Sequence, residues 1–123
     1  AIIRHPDMPR AVFAHLWEEI EAGREVFAVV NNLAADGANY WVFAHVTPSR
    51  DAAGRVVGYH SKRRPAPAGA HAAVAPLYAE LRAIERGHPS RREGLAASRA
   101  ALAARLSALG TTYDALMARL ARG

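Results

Sequence analysis

Apolar positions recur at helical spacing from the start of the chain. Val12, Phe13, Leu16, Trp17 and Ile20 make one stripe, with Glu18, Glu19 and Glu21 largely off it, and predict a helix. Asp7 is placed to cap its first amides, Pro9 suits its first turn, and Gly23 stops it. The pattern then changes to aromatic and β-branched runs. Residues 25–33, 40–47 and 55–62 read as three strands, with a turn at Asp36-Gly37 and a second over 48–54. Short connections make an antiparallel meander the expected pairing.

The helical spacing returns after residue 69. Val74, Leu77, Tyr78, Leu81 and Ile84 form one stripe, ended by Gly87 and Pro89. Ser90 and Glu93 form a capping box ahead of Leu95, Leu102, Leu106 and Leu109. Thr111 and Asp114 repeat the box before Leu116, Met117 and Leu120. The fold class is therefore α+β: a partial antiparallel sheet with one packed helix, followed by two to three helices. Pro65-Ala66-Pro67-Ala68-Gly69 reads as a linker, which divides the chain into 1–64, a 65–69 connector and an Ala/Arg-rich segment over 70–123.

Composition sharpens that division. Of the 59 residues after Arg64, 18 are alanine. The net charge of +5 is concentrated there, with 8 basic against 4 acidic residues, whereas residues 1–64 carry 8 against 7. A basic helical surface suits nucleic acid, but Arg on an Ala-rich helix is more simply a solvated face, and nucleic acid is not the expected partner. No apolar run approaches the ~20 residues of a spanning helix, and no signal-peptide pattern opens the chain, so a cytoplasmic protein is expected. Cysteine is absent, which excludes disulfides and thiolate metal sites.

The six histidines form no HExxH pair or other readable ligand spacing, so no metal is expected. Nucleotide-loop and nucleophile-elbow motifs are missing too, and the expected protein is not an enzyme. The strongest local signal is Arg4-His5-Pro6-Asp7, a cation, an imidazole and a carboxylate directly before an apolar helix. Arg4 suits a phosphate, and Phe13 and Trp17 at i and i+4 share a helix face. Flat aromatics beside a cation suit a phosphate-bearing heterocycle. The plainer reading makes Phe13 and Trp17 core residues and Asp7 a cap.

Arg4 to Pro9, Phe13, Trp17, the run Asp36-Gly37-Ala38-Asn39-Tyr40-Trp41-Val42, and Gly58-Tyr59-His60-Ser61 together resemble the PAS domain of bacterial aerotaxis receptors. The resemblance covers about residues 1–64. It implies a sensory, signal-transducing module of aerotaxis and chemotaxis. In it a bound FAD reports redox state and passes a shift in the sheet to attached helices. It carries the flavin-binding role onto Arg4, His5, Asp7, Phe13 and Trp17. That family opens with two further strands and several short helices, where here only residues 1–3 stand, so an N-terminally incomplete domain is expected. The alternative is a cofactor-free PAS-like oligomerisation or interaction module. A three-stranded sheet with one helix leaves an edge and apolar surface uncovered, so a homodimer is expected, with the sheet or the helix over 90–109 at its interface.

Overall fold

The computed structural model describes residues 8–33, 39–67 and 69–122. Four helices and three strands follow one another as α1 (Arg10–Glu21), β1 (Val26–Leu33), β2 (Asn39–Arg50), β3 (Val56–Pro65), α2 (Ala70–Arg86), α3 (Arg91–Ala108) and α4 (Tyr113–Ala121). The strands form one antiparallel sheet in the order β1-β2-β3, as the meander predicts.

Two strands are longer than their sequence suggested. β2 runs through Pro48 to Arg50, and β3 reaches Pro65, so the turn shrinks to residues 51–55. Hydrogen-bond parity explains why the prolines are tolerated. Val29 turns its N–H and C=O to side chains, away from β2, so residues with its parity in β1 face outward and the even-numbered residues of β2 face β1. The missing N–H of Pro48 therefore points to the β1 side, beyond Val26 where β1 has ended. Pro65 loses its donor on the open outer edge of β3 by the same alternation.

α1 begins at Arg10, with Pro9 in the cap position and no side-chain cap of its own. Asp7, the predicted cap, lies outside the described residues. The first amides are satisfied from another helix: Glu85 in α2 accepts from Arg10 N at 3.0 Å and Ala11 N at 3.1 Å. Gly23 ends the helix at φ 81°, in the left-handed region glycine favours. The Ser90 cap is as predicted, accepting from Glu93 N. The α4 cap is Thr112, accepting from Ala115 N, so the predicted box on Thr111 and Asp114 is one residue too early.

One apolar cluster draws on both halves of the chain. Met8, Ala11, Val12, Ala28, Val29 and Phe43 pack with Val74, Tyr78, Leu81, Leu102, Leu106, Tyr113 and Met117. The apolar cover that one helix and three strands lack is thus supplied by the C-terminal helices, chiefly through α4 on β1. Leu102 and Leu106 are buried within the chain itself, whereas Leu109 is exposed. The outer amide of Val29 is met by Met117 Sδ at 3.3 Å and its carbonyl by Tyr78 Oη at 2.9 Å; Met8 Sδ accepts from Asn31 N at 3.4 Å. Side chains rather than another strand close that edge.

α2 and α3 cross closely because α3 presents Gly94 and Ser98 there, both buried. A Cβ on Gly94 would stand 2.9 Å from the Glu85 carbonyl oxygen. Gly94→Ala would gain helix propensity on an exposed face, by about 1 kcal/mol. Here it is expected to lose about 1–2 kcal/mol as the helices are pushed apart, and chemical denaturation of the two proteins checks the sign.

Candidate functional site

Of the residues implicated from sequence, Arg4, His5 and Asp7 lie outside the described residues. Phe13 is half-buried and packs on the core cluster, while Trp17, one turn on, is 56% exposed. The shared apolar stripe is therefore broken at Trp17. Neither the groove on the sheet nor the cleft between α1, α3 and α4 is lined by Phe13 or Trp17.

Strand register assembles a different group. Val29 faces Phe43 and Phe27 faces His45 across β1 and β2, while Phe43 faces Arg64 and His45 faces Lys62 across β2 and β3. Opposed residues share a sheet face, so these side chains form one row. Phe27 and His45 stack at 4.2 Å between ring centroids, Phe27 meets Phe43 at 5.7 Å, and the Arg64 guanidinium sits 4.9 Å from the Phe43 ring centre. They line a groove of about 380 Å³ together with Lys62 and Arg63. An aromatic floor beneath a cationic rim suits a flat ligand bearing negative charge. His45 Nε2 is buried without a hydrogen bond, the nearest carboxylate oxygen, on Glu25, being 3.9 Å away. Asn31, on the same face, is 6% exposed, and its Oδ1 has no partner among the described residues. A buried acceptor left open in this way costs stability unless something donates to it. No single residue type in the sequence marks this group; the period-two alternation of β2 and β3 does, once the register is fixed.

Behind β1, Tyr78 and Tyr113 share a 2.6 Å hydrogen bond between their hydroxyls. Burial raises both phenol pKa values above the ordinary range. Trp41 lies 6.2 Å from the Tyr78 ring and 5.8 Å from His71, and His15 meets the edge of Tyr113 at 5.4 Å.

No protein-family model matches the chain. It is 39% identical over 92 residues to the aerotaxis receptor of Escherichia coli (strain K12), a match covering 74% of this chain and 17% of the receptor. The chain is an aerotaxis-receptor homologue with a PAS-like fold. At 92 residues the match exceeds the first 64 residues of the chain and so reaches beyond the sheet into the helical half. Among solved structures, a light-oxygen-voltage domain studied with a flavin analogue superposes with a TM-score of 0.54 at 20% identity, covering 61% of this chain and 56% of that one. The light state of the Aureochrome1 light-oxygen-voltage domain gives a TM-score of 0.45 at 25% identity, covering 65% and 56%. The chain thus spans about half of each of these PAS-family structures and about a sixth of the aerotaxis receptor.

The described residues fit a flavin incompletely. The sheet offers aromatic faces, cations and the open Asn31 acceptor. The space against Val29, however, is filled by Tyr78, Tyr113 and Met117, all nearly fully buried. Phe13 and Trp17 do not join the groove on the sheet.

Proposed function

We propose that this chain is a sensory module of the aerotaxis-receptor type, converting a change at its sheet into a change in its attached helices. The observation that carries this reading is the edge of β1, where Val29 bonds through both backbone groups to the helical half, by Tyr78 of α2 and Met117 of α4. A displacement of β1 breaks or drags those two bonds, and the Tyr78–Tyr113 hydrogen bond extends the coupling between α2 and α4. The reading makes the chain a cytoplasmic signalling part rather than an enzyme. No helix among the described residues is long and apolar enough to cross a membrane. It works as a homodimer in this reading, supported by the outer edge of β3, where Val57 and Tyr59 are exposed.

The finer reading, a flavin as the sensed group, is supported by the kinship and by the open Asn31 acceptor, which suits a ring N–H. A bound flavin would supply the redox centre; the chain's part would be to stack on it and pair its charges. The cofactor-free reading is favoured by the filled space against Val29.

One experiment separates them. FAD is added to the purified chain, and the visible spectrum is recorded with amide hydrogen exchange in β1 and α4. Flavin absorbance retained after gel filtration, with slowed exchange in both elements, supports the flavin reading; an unchanged spectrum sinks it. Asn31→Leu is expected to weaken FAD retention in the first case. In the second it stabilises the chain by about 1–2 kcal/mol, since it removes an unsatisfied buried group. The coupling itself fails if Met117→Ala speeds exchange in α4 and leaves β1 untouched.

A further inference from the structure

α1 and α4 bring three metal-ligating side chains together outside the groove and outside every residue the resemblance implicates. His15 and Glu19 stand at i and i+4 on one face of α1, and Asp114 lies in the first turn of α4. One donor atom from each falls within 4.8 Å of the others. His15 Nε2 is 3.3 Å from both Oδ1 and Oδ2 of Asp114. In a tetrahedral zinc site with bonds of about 2.0–2.1 Å, adjacent donors are about 3.3 Å apart. His15 and Asp114 therefore already stand at the separation of two ligands on one ion, and the Glu19 carboxylate, within 4.8 Å of both, closes the set by side-chain rotation. The site adjoins a cleft of about 600 Å³ between α1, α3 and α4, lined on one side by His15 and Arg99. Arg99 pairs with Glu18, the residue next to Glu19 on α1.

The geometry points to a divalent transition-metal site, of zinc type, made by His15, Glu19 and Asp114. One imidazole and two carboxylates are a borderline donor set that suits Zn²⁺ or Co²⁺ better than a hard alkaline-earth ion. Three protein ligands leave at least one coordination position to water. Arg24 is the competitor: its guanidinium is hydrogen-bonded to Glu19 and holds that carboxylate's charge when no ion is bound. Because the ligands come from both ends of the chain, the ion fastens α4 to α1. Metal supply thereby becomes an input to the same α4 that meets β1 at Val29.

Co²⁺ titration of the purified, chelator-stripped chain tests this, with Zn²⁺ competition as the second arm. Visible bands of a four- or five-coordinate Co²⁺, saturating at one ion per chain and bleached by one equivalent of Zn²⁺, are expected. His15→Gln and Asp114→Asn are each expected to weaken binding at least tenfold, and Glu19→Gln several-fold. Arg24→Ala is expected to tighten it several-fold by freeing Glu19. His88→Gln serves as the control and leaves binding unchanged. Circular dichroism and melting of each variant without metal separate lost ligation from lost folding. Only the pale spectrum of hexa-aquo Co²⁺ in the wild-type chain overturns the site, as does equal affinity in the wild type and the His15→Gln, Asp114→Asn double variant. Because the readout is a ligand-field spectrum, it is independent of whether a flavin binds or a signal is passed.

Discussion

Replacing Glu85 by alanine is expected to cost about 3–5 kcal/mol of folding free energy, a large share of what a domain of this size possesses. The side chain is 6% exposed and accepts three hydrogen bonds: from the first two amides of α1 and, at 2.7 Å, from the hydroxyl of Ser98. Removing it orphans all three donors and leaves a cavity between α1, α2 and α3. The favourable interaction of a carboxylate with the positive end of α1 disappears as well. Glu85→Gln keeps the shape but presents an NH₂ group where the carboxylate accepted, so an intermediate loss of about 1–3 kcal/mol is expected. Guanidinium denaturation at neutral pH measures both. A loss below about 1 kcal/mol for Glu85→Ala would show that water replaces the carboxylate at no cost, and that this junction does not hold the helices together.

Stability is also expected to collapse in alkali. Tyr78 and Tyr113 both have pKa values raised by burial, and the negative charge of Asp114 raises Tyr113 further; the Val29 carbonyl and the His15 ring edge lie against the pair. Unfolding returns both phenols to the ordinary value near 10. Above that pH the unfolded chain holds fewer protons than the folded one, so unfolding free energy falls as pH rises, by about 1.4 kcal/mol per pH unit for each phenol. The contribution is fully present below about pH 10 and is lost as pH climbs toward the raised folded values. Together the pair gives a slope of about 2.7 kcal/mol per pH unit. Denaturation from pH 9 to 12 in chelator-containing buffer reads it. Tyr113→Phe is expected to halve the slope while costing about 1 kcal/mol at neutral pH through the lost hydroxyl pair. An unchanged slope in that variant would mean that the Tyr113 phenol titrates alike in both states.

The local parts of this fold were legible in the sequence because they depend on neighbours within a few residues. The Ser90 cap, the Gly23 stop, the three strands and the stripe on α2 all follow from spacing alone. What escaped was set by distant parts of the chain. Trp17 sits in an apolar stripe by period, yet α1 turns that position outward, because the surface it packs on is defined by Ala11 and Val12. Gly94 and Ser98 interrupt the leucine pattern of α3 and looked unremarkable, but they are what let α2 approach. Glu85 is a buried cap that nothing in the α2 sequence marks, since its partners are 74 and 75 residues away. The groove behaves likewise: Phe43 and His45 were visible as strand residues, while their meeting with Lys62 and Arg64 required the register of β3. The residues before Met8, which carry the strongest resemblance, lie outside the described residues, so the part of the site most visible in sequence is not the part the structure displays.

The bond between Val29 and Met117 spans 88 residues, and that between His15 and Asp114 spans 99. Strand pairing and the α2–α3 hairpin, by contrast, join sequence neighbours. On a ribosome adding roughly 5–20 residues per second, β1 emerges roughly 4–18 s before the sulfur that closes its edge. The hairpins form in microseconds. For those seconds the nascent sheet has only Met8 and α1 to cover it, and the Val29 backbone groups that Tyr78 and Met117 later meet stay open to chaperones or to a like strand. Long sequence separation between contacts slows folding, so these two bonds set how long that exposure lasts.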